Sequence, residues 1–414
     1  MNKNTINIIR NEFNGCIIYS KEHKNSFFGD FLVLDLLKGV SEHELFEKYD
    51  EQEVKDIAEE LTMLNIKKDN SSFLNNQHPI NFLSAPIRLF FDFTFECNLR
   101  CKHCFTNSGD KNVNELTFGE KKSIINQMVA MGCYKISIAG GEPLISSEFF
   151  PFVDYALSNG VDVSFTTNGT LLSENILKEI AIRDFKTITV SLDGATKETH
   201  DYIRGTNTFE KTVSNIKELR KIYSGNIALR MTMMKSNITD TEKFIDLAES
   251  LGCCVAKFNC IRPTGRAEVN NELLLKREDY IRIIQNATRY KERTKIKVGL
   301  PLNPYNDYDE EYIDDLGFGC VAGKDSLTIF PDGIIKACSQ LDESWAAGNV
   351  KTHSIQHSWL EHKNFKFFRN LEGNVKCKSC SVYEKCMGGC RYRALKKYGD
   401  FNSVDPYCYE EEPA

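Results

Sequence analysis

Three cysteines stand in one short run, Cys97-Asn-Leu-Arg-Cys101-Lys-His-Cys104. Thiolates are soft metal ligands. Three of them in so short a loop can converge on one iron–sulfur cluster and leave one metal position open to an exogenous ligand. A structural zinc site normally takes four protein ligands, which this run does not supply. A second ordered set lies far downstream: Cys320, Cys338, Cys377, Cys380, Cys386, Cys390 and Cys408. One zinc site would use four of these and leave three as bystanders. Cys16, Cys133, Cys253, Cys254 and Cys260 fall outside both sets, and the last three read as buried small apolar side chains.

The elements that must position these thiols divide the chain in three. Residues 1–83 combine short alternating stretches (IIRNEF, GCIIYS) with apolar-periodic segments around FLVLDLLKG and EVKDIAEELTMLN. The first helical segment should end at Gly39, and the second should begin after Ser41 with Glu44 in capping-box spacing. A three-strand, helix-pair, winged-helix-like module follows. The polar stretch SSFLNNQHP, closed by Pro79, has linker composition. Residues 84–300 alternate strands with helical stretches: 87–94, 134–140, 161–167, 186–192, 227–234 and 255–259 read as strands, and TFGEKKSIINQMVAMG and TEKFIDLAESLG as helices closed by glycine. Six β/α units make an α/β fold with a parallel sheet curled into a partial TIM-like barrel, with its chemistry at the C-terminal strand ends. Residues 301–414 are rich in Cys, Gly and Lys and hold little continuous apolar sequence, so bound metal should organise them.

Composition removes other classes. The 414 residues carry 52 Lys plus Arg against 58 Asp plus Glu, a net charge of −6, which is not the basic field of a general nucleic-acid binder. The start, MNKNTINIIRNEF, lacks the apolar stretch of a signal peptide, and no apolar run is long enough to span a membrane. A cytoplasmic protein is expected, in which thiols stay reduced and fifteen cysteines are not a disulfide framework.

Cys-x3-Cys-x2-Cys after the first strand of a six-unit β/α domain resembles the signature of the radical S-adenosylmethionine enzymes. The resemblance implies that Cys97, Cys101 and Cys104 hold a four-iron, four-sulfur cluster whose fourth iron is chelated by S-adenosylmethionine. One-electron reduction then yields a 5'-deoxyadenosyl radical that abstracts hydrogen from substrate. His103 stands where the family usually places an aromatic residue beside the adenine. Gly140-Gly141-Glu142-Pro143 is similar to the family's GGEP motif for the methionine amine. Ser191 in SLDG and Arg204 in HDYIRG are similar to the pair that binds the methionine carboxylate, a role that suits a planar guanidinium. Asn168 in the TNG turn joins this cofactor set as a positional residue.

The downstream set resembles the SPASM extension of radical enzymes that modify peptides and proteins. That likeness implies a first auxiliary cluster on Cys320, Cys338 and Cys390 and a second on Cys377, Cys380, Cys386 and Cys408, giving three four-iron clusters in all. The first auxiliary cluster is one ligand short, filled by Asp314 or Asp315 or left open for a substrate thiolate; the open site is preferred. The N-terminal module is similar to the PqqD-like domains that recognise precursor peptides, which take a leader as an added strand on an open sheet edge.

The expected function is maturation of a ribosomally made precursor peptide, bound through its leader, by a crosslink, with a thioether favoured over a carbon–carbon bond. A one-electron donor such as flavodoxin or ferredoxin is implied, and neither nucleic acid nor membrane. No residue is singled out as the catalytic base. The alternative is an anaerobic sulfatase-type, formylglycine-generating maturase. Such enzymes carry an aspartate directly after the second SPASM cysteine, where this chain has Ser339, with Asp342 and Glu343 the nearest carboxylates. A more distant alternative is a zinc-stabilised winged-helix binding protein.

Overall fold

The computed structural model describes residues 6–74, 81–300 and 319–410. Asp314 and Asp315, the candidate extra ligands, and the NNQHP part of the expected linker lie outside the described residues.

The N-terminal module is a sheet of β1 (Asn7–Glu12), β2 (Gly15–Ser20), β3 (Asn25–Gly29) and β4 (Ser71–Leu74), in the order β3-β2-β1-β4. Beside it stand α1 (Phe31–Lys38), α2 (Glu42–Lys48) and α3 (Glu51–Met63). Helix α1 ends at Gly39 in the left-handed conformation, and α2 starts at a Ser41–Glu44 capping box, both as the sequence predicts. Two expectations need correcting. The single second helix is two, because the Asp50 side chain caps Gln52 and Glu53 and starts α3 afresh. Ser71–Leu74, which has linker composition, is a strand parallel to β1.

The barrel strands are β5 (Arg88–Asp92), β6 (Lys135–Ala139), β7 (Asp162–Thr167), β8 (Thr187–Ser191), β9 (Ile227–Met233) and β10 (Val255–Cys260). They pair in parallel in sequence order. Helices α4 (Phe118–Met131), α5 (Phe149–Ser158), α6 (Glu174–Ala181), α7 (Lys197–Arg204), α8 (Thr208–Ile222) and α9 (Thr241–Ser250) connect them. A Thr117–Glu120 capping box starts α4, and left-handed Gly132 ends it. Three short strands extend the sheet: β11 (Lys297–Gly299) beside β10, then β12 (Ser326–Ile329) parallel to β5, with β13 (Ile335–Lys336) antiparallel to it.

The strands alternate cleanly. Leu89 and Phe91, Ile136 and Ile138, Val163 and Phe165, Ile188 and Val190, Leu229 and Met231 are buried in one apolar core. Phe91, Phe93, Phe149, Phe152 and Phe165 stack there in edge and tilted pairs. Full burial of each such ring is worth about 1.5–3 kcal/mol. The opposite faces carry Ser137, Ser164, Thr166, Thr187, Thr189, Arg230, Lys257 and Asn259, which line a central cavity of about 820 Å³. The sheet is therefore apolar on its helix-covered face and carries hydroxyl, amide and basic side chains toward the lumen, with Phe90 among them.

The N-terminal module sits across the base of the barrel. Arg10 and Glu12 form a buried ion pair at 2.5 Å. Arg10 also donates to the carbonyls of Ala85, Pro86 and Gly132 at 2.9–3.1 Å, and Glu12 accepts from the amide and hydroxyl of Ser84. Tyr19 stacks on Tyr134 with centroids 4.9 Å apart, and Lys135 reaches Asn25.

Candidate functional site

Strand β5 runs straight into the first cysteine loop. Burial raises the Cys101 thiol to about 11, and each of Cys97 and Cys101 lies within the electrostatic reach of Cys104 and of Arg204. The loop backbone is pinned from outside: Arg266 donates through Nε to the Cys101 carbonyl at 2.7 Å and through Nη1 to that of Ser108 at 3.0 Å. Asn270 holds the Lys102 carbonyl, whose own amide donates to Ile203. Three thiols presented by one braced loop, with no fourth protein donor beside them among the described residues, are the number of ligands that a cluster with one open iron takes.

The glycine loop after β6 lies directly against this one. Gly140 has φ of 106°. A Cβ on Gly141 would lie 2.1 Å from the carbonyl oxygen of Glu96, just before Cys97. Only glycine permits that approach. The Glu142 carboxyl turns inward, where burial raises it to about 7 against three hydrogen bonds. It accepts from the Asn168 amide at 2.7 Å, the Thr167 hydroxyl at 2.9 Å and the Leu144 amide at 3.2 Å. What this loop offers a ligand is therefore backbone, with Glu142 as its brace. Asn168 is spent similarly: Oδ1 accepts from Thr170, and Nδ2 donates to Asn98 in the cysteine loop at 2.9 Å.

Arg204, at the end of α7, is buried and donates through Nε to Asp193 Oδ2 at 2.6 Å, while Nη1 lies 4.0 Å from Cys101 Sγ. His103 Nε2 is 3.3 Å from the same Asp193 oxygen. Burial holds this imidazole neutral, with its pKa lowered to about 4. Asp193 also accepts from the Thr232 amide, and its charged neighbours hold it at about 2 despite complete burial. The fixed carboxylate thus aims one edge of the guanidinium toward the cysteine loop. Ser191, two residues before Asp193, is buried and faces Arg230 across the β8–β9 pairing.

The downstream thiols form two groups. Cys338 feels Cys320 and Cys390, and Arg262 feels Cys390 and Cys338. Cys377 feels Cys408 and Cys380, and Cys386 feels Cys408 and Cys377. Asp405 spans the two groups: it accepts from the Cys390 amide, pairs with Arg393, and its carbonyl accepts from Cys408. Asp342 is exposed and caps the short turn at Glu343–Trp345, with Ser344 as its partner. Of the cysteines expected to be buried, Cys253 and Cys260 are, whereas Cys254 is half-buried and borders the lumen.

The sequence pattern missed three residues. Asp193 stands in the SLDG stretch but its role arises only from packing against Arg204 and His103. Asp92, at the end of β5, is fully buried with Oδ2 unpartnered and is raised to about 7. Arg230 interrupts the apolar run IALRMTMM; a lone cation in such a strand is the signal that its inner face is polar.

Residues 92–248 match the radical SAM superfamily and residues 320–387 the iron-sulfur cluster-binding SPASM domain. Mycofactocin maturase MftC of Mycobacterium tuberculosis is 29% identical over 80% of this chain and 85% of that protein. An AdoMet-dependent heme synthase of Methanosarcina barkeri is also 29% identical, over 80% of this chain and 98% of its own length. Among solved structures, Streptococcus suis SuiB bound to its precursor peptide SuiA covers 97% of both chains with a TM-score of 0.71 at 16% identity. The enzyme anSMEcpe with bound AdoMet covers 78% of this chain and 94% of its own, with a TM-score of 0.64 at 21% identity. At these identities the structural likenesses show the fold.

Proposed function

Since the chain is a radical S-adenosylmethionine enzyme with a SPASM iron–sulfur domain, we propose that it matures a ribosomally made precursor peptide by crosslinking its core segment. The observation that carries this reading is one arrangement. A three-thiol loop, a glycine cradle and a fixed arginine lie together at the C-terminal strand ends, and Arg204 is within electrostatic reach of Arg230, which lines a cavity of about 820 Å³ that Asn25 and Phe27 of the N-terminal sheet also line. Residues 1–83 are assigned to precursor recognition, 84–300 to radical chemistry and 301–414 to auxiliary clusters.

Cys97, Cys101 and Cys104 would hold the radical-generating cluster. Cys320, Cys338 and Cys390 would hold a first auxiliary cluster with an open iron, and Cys377, Cys380, Cys386 and Cys408 a second. When bound, these groups supply a 5'-deoxyadenosyl radical for hydrogen abstraction and a sink for the surplus electron. The chain's own part is positioning. The backbone of Gly140 and Gly141 would receive the methionine amine, and Ser191 with the free edge of Arg204 would receive its carboxylate. Neutral His103 would lie beside the adenine, and the bracing by Glu142 and Asn168 keeps the two loops in register. A reduced flavodoxin or ferredoxin is the proposed electron donor.

Among the described residues strand β3 pairs only with β2, and its other edge is where a leader strand would be added. Asn25 and Phe27 of this strand line the lumen floor, so a leader held there would start its core segment at the cavity. A thioether is favoured over a carbon–carbon bond because an open auxiliary iron suits a substrate thiolate. Formylglycine formation is disfavoured because Ser339 replaces the expected base and Asp342 is exposed on a capping turn.

The test is anaerobic incubation of the reduced, reconstituted protein with S-adenosylmethionine. The expected result is 5'-deoxyadenosine from the wild type and none from Cys97→Ala, Cys101→Ala or Cys104→Ala. Product from all three variants would overturn the assignment.

A further inference from the structure

The first downstream thiol set stands beside two guanidinium groups whose donors the protein does not use up. Cys390 precedes the helix Arg391–Tyr398 as its cap, and its amide donates to Asp405 Oδ2 at 2.6 Å. Arg393, in the first turn of that helix, grips the same carboxylate through Nε at 2.8 Å and Nη2 at 2.5 Å. Its Nη1 is left over, buried and without a hydrogen-bond partner among the described residues. Such an orphaned donor is rare in a folded protein and marks a place where a ligand belongs. The second guanidinium comes from the barrel. Arg262 follows the end of β10, and the two residues after it are tied to the same helix. The Tyr392 hydroxyl accepts from Thr264 Oγ1 at 2.6 Å and donates to the Pro263 carbonyl at 3.1 Å. Half-buried Arg262 is within electrostatic reach of Cys338 and Cys390, and no carboxylate is among the groups that act on it most. The second thiol set has other surroundings: Asp405 raises Cys386, and Arg391 draws Cys377 partly back. Arg391 acts on Cys320 as well, so its charge does not distinguish the two sets. Lys376 and Lys378, which flank Cys377, are exposed to solvent that screens them.

We infer that Arg262 and Arg393 set the reduction potential of the auxiliary site on Cys320, Cys338 and Cys390 and raise it above that of the second auxiliary site. The donor set fits the group proposed there, because two cations and an orphaned donor offset the negative charge of a thiolate-held cluster. Net charge and hydrogen bonds to the sulfurs are what tune such a potential. The reduced form carries one more negative charge, so a nearby cation or N–H donor stabilises it over the oxidised form. The two arginines contribute differently. Asp405 offsets much of the Arg393 charge, which leaves its Nη1 to act as a donor, whereas Arg262 acts through its charge. One electron shared between the two auxiliary sites then rests on the first. Neither residue touches the reacting atoms; both act through the cluster. The inference rests on the cluster assignment proposed for these cysteines and adds the residues that tune it.

The test is a redox titration followed by electron paramagnetic resonance, with iron content measured beside it. It uses the full-length protein carrying Cys97→Ala, Cys101→Ala and Cys104→Ala, reconstituted anaerobically, so that only the auxiliary clusters contribute. Two potentials are expected, and the higher should be lost on further substitution Cys338→Ala. Arg262→Gln should lower that potential by at least a tenfold change in the ratio of reduced to oxidised form, about 59 mV for one electron, and leave the other potential in place. Arg262→Lys keeps the charge and should restore most of the shift. Arg393→Gln should lower the same potential. It also strands the Asp405 carboxylate, so if it loses iron the Arg262 pair of variants decides. The inference is overturned if Arg262→Gln keeps its iron and moves neither potential, if both potentials fall together, or if the potential lost with Cys338 is the lower one. Loss of iron in Arg262→Gln that Arg262→Lys does not prevent would overturn it as well, because it assigns the residue to the fold. Uptake of zinc with no iron would instead remove the cluster assignment itself, an outcome distinct from intact clusters with unmoved potentials.

Discussion

Arg204 and Asp193 meet at 2.6 Å with both side chains out of solvent, and this pairing determines which edge of the guanidinium faces the cysteine loop. A buried ion pair adds little net stability, because desolvation of two charges offsets their attraction. Its worth here is direction: Asp193 also engages His103 and the Thr232 amide, so one carboxylate orients an arginine and an imidazole together.

Replacing Asp193 with Asn leaves the Arg204 charge buried without its counter-charge, a loss of about 3–5 kcal/mol for breaking one side of such a pair. The expected outcome is a lower unfolding midpoint together with weaker S-adenosylmethionine binding. Arg204→Ala should weaken binding as well, and the double variant should lose less than the sum of the two, since both disturb one unit. Additive losses in a titration of all three variants would show that the residues act separately.

Gly141→Ala forces a methyl group against the Glu96 carbonyl, with backbone on both sides of the contact. The cost is about 1–3 kcal/mol of overpacking, and the cysteine and glycine loops separate. Cofactor affinity should fall. Gly119→Ala, where a Cβ meets nothing within 4 Å, is the matched control and should stabilise α4 by about 0.5–1 kcal/mol. Equal behaviour of the two variants in binding and melting experiments would refute the close-approach argument.

Asp92 titrates near 7 because burial disfavours its charged form, with Lys336 drawing it partly back. Its pKa in the folded protein lies above that in the unfolded chain. The stability it contributes is therefore fully present below about pH 4 and is lost as pH rises through about 7. Asp92→Asn removes that dependence. Denaturant unfolding at several pH values should show the variant gaining on the wild type between pH 4 and 7, with the gain constant above. Parallel curves would contradict the assignment of a protonated, unpartnered carboxyl at this site.

The Arg10–Glu12 pair joins the N-terminal sheet to the barrel base, so the module is not a detachable appendage. Arg10→Met strands a buried carboxylate whose remaining partners are the Ser84 amide and hydroxyl. A loss of about 3–5 kcal/mol is expected, with much of it recovered in the Arg10→Met, Glu12→Met double variant. Hydrogen exchange at Ala85, at residue 87 and around Gly132 should rise in the single variant. Unchanged protection there would mean that module and barrel fold independently.

The six barrel strands were legible because Leu, Ile, Val and Phe alternate with other residues over runs bounded by glycine, as in KISIAG and VDVSFTT. Strands β4, β11 and β12 were not. SSFL has the composition of a linker and becomes a strand only through its register with β1, and β11 and β12 are three and four residues long, too short for a period to show. The cysteine and glycine motifs stood out by spacing. Asp193 did not, because its role depends on α7 folding back to bring Arg204 within reach, a contact across eleven residues that no local pattern encodes. Arg230 was visible as a letter, but its meaning required knowing that the inner sheet face is polar.

The most direct test of the central claim is iron and acid-labile sulfide analysis of the anaerobically reconstituted protein beside its Cys97→Ala, Cys101→Ala, Cys104→Ala triple variant. Three four-iron clusters give about twelve irons per chain, falling to about eight in the variant when only the radical-generating cluster is lost. Zinc in place of iron, or an iron content that the triple substitution leaves unchanged, would contradict it.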